Sequence, residues 1–208
     1  MQLVRPITPE AVLYAASEGV KRFLSAGDRR LAVLSGSSKG EQWRERVFLL
    51  GIKPVIGGIP LEKAAMAVGW RFLVRDGSGE FAASYVTEPL RGGRPRLVGI
   101  SHGKRLGPYF DASERIEGIA LAQTQTERHQ LRTLTIPCLL IEAFWLVPES
   151  GESGFIVPFI SMIPEFANMP VLTVENFLET CKPLAEDRQA ADDHIRPVAG
   201  MSYGWPPK

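Results

Sequence analysis

Glu142 stands alone as a charge inside the apolar run Leu139-Leu-Ile-Glu-Ala-Phe-Trp145 of this 208-residue chain. A carboxyl group held among such neighbours is pushed toward its neutral form unless a cation or several N–H donors face it. Acids perturbed in this way gather at functional sites, which makes Glu142 a candidate proton donor or acceptor. The competing expectation is an ion pair across neighbouring strands, with Arg71 or Arg132 as the cation, because structural pairs perturb acids too.

His102 is the second candidate acid or base, and it lies in the one local charge asymmetry of the chain. Residues 91–105 hold Arg91, Arg94, Arg96, Lys104 and Arg105 with no acidic residue. Gly92, Gly93, Gly99, Gly103 and the nearby Gly107 would let main-chain N–H groups approach an anion closely. Such a surface suits phosphate, nucleic acid or an acidic protein face. The plainer alternative is two solvated loops at either end of a short strand. Only Tyr109 and Phe110 lie near, so stacking on single-stranded bases has little support.

Other chemistries are poorly provided for. Ser35-Gly-Ser-Ser-Lys-Gly40 has the glycines of a phosphate loop without the GxxxxGK[ST] spacing or a clear following helix. A flexible surface loop is the expectation there. Ser101 and His102 are adjacent, and adjacent side chains on a strand point to opposite faces, so they do not form a nucleophile–base pair. His129 is expected at the end of a helix, where a cation suits the dipole, and His194 in a polar tail. Glu186, Asp187, Asp192 and Asp193 belong to that tail, so no metal site is expected, and no cofactor. Cys138 sits in an apolar run and Cys181 on a helical stripe, so both are expected as buried thiols rather than a disulfide.

The elements that must position these residues follow from spacing. Thr8-Pro9 opens a helix carrying Val12, Ala16, Val20, Phe23 and Leu24, and Gly27 ends it. Residues 31–34 and 42–50 suggest strands. Gly57-Gly58 breaks the chain, and Pro60 opens a short helix through Ala64, Ala65 and Val68. Residues 70–74 and 81–86 flank Asp76-Gly-Ser-Gly79 and predict a β-hairpin, with 97–100 a third strand. Asp111 and Glu114 resemble a capping box for a helix reaching about Arg128. Residues 131–147 predict one long strand. Leu134, Ile136, Cys138, Leu140 and Phe144 alternate with Leu139, Ile141, Ala143 and Trp145, which calls for cover on both faces, or for a partner on the second face and hence an interface. Pro137 cannot donate to a ladder and predicts a bulge or bend. Residues 155–160 complete a second hairpin, and Thr173 caps a helix bearing Val174, Phe177, Leu178 and Cys181.

Gly69-Trp-Arg-Phe-Leu-Val74, the stretch Leu131-Arg-Thr-Leu-Thr-Ile-Pro-Cys-Leu-Leu-Ile-Glu-Ala-Phe-Trp-Leu146 and Val157-Pro-Phe159 together resemble a family of uncharacterised bacterial proteins. The resemblance covers about residues 57–185. It rests on core and turn positions and implies no activity.

The pattern predicts an α+β protein, a mainly antiparallel sheet with helices packed on one face. One domain is expected over residues 1–185, followed by a loosely ordered tail over 186–208. Lys and Arg number 24 against 23 Asp and Glu, so net charge selects no partner. The start shows no signal peptide, and the longest apolar run falls short of the ~20 residues a membrane helix needs, so a cytoplasmic chain without membrane contact is expected. With no metal set, triad or nucleotide loop, the leading expectation is a non-catalytic interaction or assembly protein that partners a protein or itself. The alternatives are a hydrolase acting on a phosphorylated or nucleic-acid substrate, with Glu142 or His102 as its acid or base, and a nucleic-acid-binding protein using the 91–105 loops.

Overall fold

Both alternating apolar sets of residues 131–147 do find cover, but on two strands rather than one. The computed structural model describes residues 1–4, 6–25, 42–75, 81–87, 93–102, 106–122, 127–151 and 154–195. Strand β6 (Arg128–Ile136) runs into a 3₁₀ turn at Pro137–Leu139, and β7 (Ile141–Pro148) returns antiparallel beside it. The proline expected to bend one strand reverses the chain instead. Its fixed φ and missing N–H suit the first position of a tight turn. Leu140 closes that turn in the left-handed region at φ 53°. The reversal puts Cys138 and Leu140 at the tip, exposed, where one strand would have buried them.

The sheet has nine strands among the described residues. β1 is Gln2–Val4, β2 Gln42–Leu49, β3 Met66–Arg75, β4 Phe81–Thr87, β5 Arg96–His102, β8 Phe155–Ile160 and β9 Leu172–Thr173. Their order is β5-β4-β3-β2-β6-β7-β8-β9, with β1 also paired to β6. Six pairings are antiparallel; β1–β6 and β2–β6 are parallel, so the sheet is mixed. β1 and β2 lie end to end along one edge of β6, against residues 128–130 and 132–135. Both expected hairpins, β3–β4 and β7–β8, are present.

Among the described residues five helices accompany the sheet: α1 (Glu10–Ser25), α2 (Ile52–Ile56), α3 (Leu61–Ala64), α4 (Gly107–Ala122) and α5 (Val174–Ile195). The α+β class holds, but the helices occupy both faces. Leu131, Phe144, Leu146 and Val157 pack under Tyr109, Ala112 and Ile116 of α4. Their neighbours of opposite parity, Leu134, Ile136, Ala143, Trp145 and Ile156, pack under α2, α3 and α5. On that second face α1 covers the other half of the sheet, setting Val12 against Trp70, Phe72 and Val86. A strand apolar on both sides requires two covers, and the sequence contains enough amphipathic helix to provide them.

Several boundaries move. Thr8 does not cap α1; the Pro9 carbonyl accepts from Val12 and Leu13, and the Thr8 hydroxyl is buried without a partner. Asp111 and Glu114 lie inside α4 rather than at its start, and Arg128 opens a strand rather than ending a helix. Val68 belongs to β3. Thr173 does cap α5, accepting from the Asn176 N–H at 3.2 Å. The boundary expected at residue 185 falls inside α5, which continues to Ile195. Residues 196–208, 31–34 and the loop at 35–40 lie outside the described residues.

The two thiols should separate cleanly in a labelling experiment. Cys138 is exposed, whereas Cys181 is fully buried and burial pushes its thiol pKa up from 9.0 to about 12. Ellman's reagent at pH 8 is expected to label Cys138 within minutes and Cys181 only after denaturation. The same shift fixes a sign. Between pH 9 and 12 the unfolded thiol loses a proton that the folded one keeps, so this group lowers stability as pH rises there, by at most about 1.4 kcal/mol per unit. Two fast thiols in the native protein would contradict the seating of α5.

Candidate functional site

Period-two alternation in Trp43-Arg-Glu-Arg-Val47 sends Glu45 to one face of β2 and Arg44 and Arg46 to the other. Each face of the β2–β6 region consequently holds its own charged cluster.

On the α4 face, Glu45 is 1 % exposed. Tyr109 donates its hydroxyl to one carboxylate oxygen, and Thr133 donates to the other at 2.7 Å. Arg71 is the register partner of Glu45 on β3. Its side chain crosses β2 and β6 to reach Glu142 on β7, with Nη2 2.6 Å from Oε2. Burial works against the Arg71 charge, but Glu142 first and Glu45 after it outweigh burial, leaving the guanidinium pKa above its ordinary value. The Tyr109 ring lies 5.6 Å from the same guanidinium. Five side chains from β2, β3, β6, β7 and α4 thus form one polar network through an otherwise apolar layer.

The pairing of Glu142 with Arg71 is one of the two expected for it, and Arg132 points to the opposite face. The network is only partly sealed, since the Arg71 and Glu142 side chains keep 17 % and 29 % exposure. His102 ends β5, five strand spacings along the sheet from the β7 of Glu142. His129, expected at a helix end, is buried in β6 with its Nδ1 3.3 Å from the Glu127 carbonyl oxygen. Among the described residues no three His, Cys, Asp or Glu side chains gather as a metal would need. Gly36-Ser-Ser-Lys-Gly40, which also satisfies Gly-x-Ser-x-Gly, lies outside the described residues.

The basic segment is divided. Arg91, Lys104 and Arg105 lie outside the described residues, whereas Arg94 and Arg96 line a groove of about 740 Å³ between α1 and the start of β5. Tyr14, Ala15, Arg22 and Leu97 line it too, with Glu10 and Glu18. Three arginines against two glutamates make a mixed surface rather than a phosphate track. Gly19 lets α1 approach β5 closely, because a Cβ there would collide with the Leu97 side chain.

On the opposite face, Arg46 and Arg132 are register partners on parallel strands. Arg46 lies over Trp70 at 5.7 Å, and Arg132 lies over Phe48 at 4.9 Å and Trp145 at 5.0 Å. Neither this pair nor Glu45 was singled out by motif. The signal was the alternation of acid and base along a strand flanked by apolar residues. Among the described residues no helix is long and apolar enough to cross a membrane. Compared with known proteins, the chain matches no family model, no curated protein and no solved structure.

Proposed function

We propose that the protein binds rather than catalyses, taking an extended segment of a protein partner along the outer edge of β5 with side chains entering the α1 groove. The long apolar stretch at 131–147 no longer supports an interface, because α4 and α5 cover its two faces. The support comes from the other end of the sheet. Among the described residues β5 pairs with β4 alone. Its stretch Leu97-Val-Gly-Ile-Ser101 carries no charge, and Val98, passed over by the β4 register, is 52 % exposed. Edge strands are ordinarily blunted by charge, proline or a bulge; β5 has the bulge at Val98 but no charge from Leu97 to Ser101, and an apolar edge is a template for another strand. Main-chain bonding along such an edge gives affinity, and pockets beside it give specificity. The groove, within the ~300–1,000 Å³ of ligand pockets, lies at the start of this edge.

A hydrolase acting through Glu142 is less favoured because that carboxylate is already paired with Arg71. A nucleic-acid surface built on Arg94 and Arg96 has Glu10 and Glu18 beside it. The test is selection from a displayed library of random peptides. Wild type is expected to enrich sequences of alternating hydrophobicity whose binding falls at least tenfold with Val98→Lys or Tyr14→Ala. Both residues are exposed, and such replacements ordinarily shift stability by only about 0.5 kcal/mol, so folding is preserved. No enrichment, or enriched peptides indifferent to both substitutions, would remove the proposal.

A further inference from the structure

Glu10 and Tyr14 stand four residues apart on α1, a spacing that makes their side chains neighbours on one ridge of the helix. Both are exposed, Tyr14 by 68 %, and both line the groove between α1 and the start of β5. Among the described residues neither side chain takes part in a hydrogen bond, an ion pair or a ring contact. A carboxylate beside an open ring face is fitted to a cation, which the ring attracts from below while the carboxylate accepts its N–H groups.

The other charges of the groove leave that place to a partner. Glu18, Arg22 and Arg96 are each engaged with other groups, and Arg22 lies about 18 Å along α1 from Glu10 at ~1.5 Å per residue. Of the charged lining residues that leaves Arg94, exposed just before β5. The open edge supplies the route. A strand laid along the outside of β5 sends alternate side chains to the α1 face of the sheet. There they meet the flank of α1 that carries Glu10 and Tyr14, because α1 sits close on β5 where Gly19 meets Leu97.

We propose that the segment bound along β5 carries one arginine, whose guanidinium stacks on Tyr14 and forms an ion pair with Glu10. This rests on the edge reading and adds the chemistry that selects among extended segments. Arginine suits the place better than lysine because its planar group stacks on a ring and forks onto a carboxylate at once. Arg94 sets a limit by repelling a second cation, so one basic residue in an otherwise uncharged alternating sequence is preferred to a basic run.

The experiment screens the full chain against three displayed libraries of one alternating apolar pattern, with arginine, glutamine or glutamate fixed at a single position. The arginine library is expected to enrich over the other two. Peptides from it should bind Glu10→Gln about tenfold more weakly, and Tyr14→Leu, which keeps apolar bulk without the π-face, several-fold more weakly. Citrulline in place of the peptide's arginine should lose at least as much, and Glu10→Gln should then cost nothing further, as groups in contact require. Glu117→Gln, exposed on α4 at the other face of the sheet, should change nothing. The citrulline comparison needs only wild type, so it decides even where a variant does not fold. Equal enrichment from all three libraries, with binding still lost in Val98→Lys, would overturn the arginine and leave the edge standing. Enrichment from none would remove the edge and the arginine with it. A preference for peptides with several basic residues, indifferent to Tyr14→Leu, would also overturn the proposal, because charge alone would then be acting.

Discussion

Methionine in place of Arg71 is expected to destabilise the fold by about 3–5 kcal/mol, the cost of breaking a buried ion pair from one side. The reason lies less with Glu142 than with the more deeply buried Glu45, since both carboxylates favour the Arg71 charge. Glu142 keeps 29 % of its side chain exposed and can hydrate when the guanidinium is gone. Glu45 is 1 % exposed and accepts from two hydroxyls, so water cannot replace the Arg71 charge that favours it. A chain of this length should lose roughly 6–20 °C in melting temperature for such a change. A double-mutant cycle separates the two carboxylates. Urea unfolding of R71M/E45Q should recover more of the loss than R71M/E142Q, with unchanged m values. Recovery through Glu142 alone would move the energetic centre to the exposed end of the network.

This network also marks how far the sequence could be read. Glu142 announced itself because it interrupts an apolar run, and Arg71 was one of two cations within reach across strands. Glu45 was hidden because it sits among other charges, in Trp-Arg-Glu-Arg-Val, where nothing local distinguishes a buried acid from a solvated one. Its burial depends on Tyr109 and Thr133, 64 and 88 positions away, and only the fold brings them together. The same limit applies to residues 131–147. Alternation says that both faces of a segment are apolar, but it is equally well met by one strand or by two strands meeting at Pro137. The left-handed conformation of Leu140 decided it, and leucine gives no warning of that conformation, which costs it about 1–2 kcal/mol. The hairpins β3–β4 and β7–β8 were legible because glycine-rich or polar turns separate their strands. His129 misled because the helix before it ends at Ala122 and a new strand has begun by Arg128.

Truncating Phe177 to alanine is expected to cost about 3–5 kcal/mol, the range for deleting a fully buried aromatic ring. Phe177 is wholly buried and stacks on Phe166 at 5.4 Å with the rings 14° from parallel. Val174, Phe177, Cys181 and Ala185 form the single stripe by which α5 joins the core, while Glu175, Glu179, Lys182 and Glu186 stay exposed. Nothing on the exposed side can compensate for a loosened stripe, so the effect should spread along the helix. Cys181 lies one turn beyond Phe177 and reports on it directly. In Phe177→Ala the second thiol should react with Ellman's reagent without denaturant, at least tenfold faster than in wild type, whereas Cys138 at the β6–β7 tip should react at its former rate. A loss below about 1 kcal/mol with Cys181 still silent would mean that α5 is held by something other than this stripe, and the two-sided cover of the sheet would need another source.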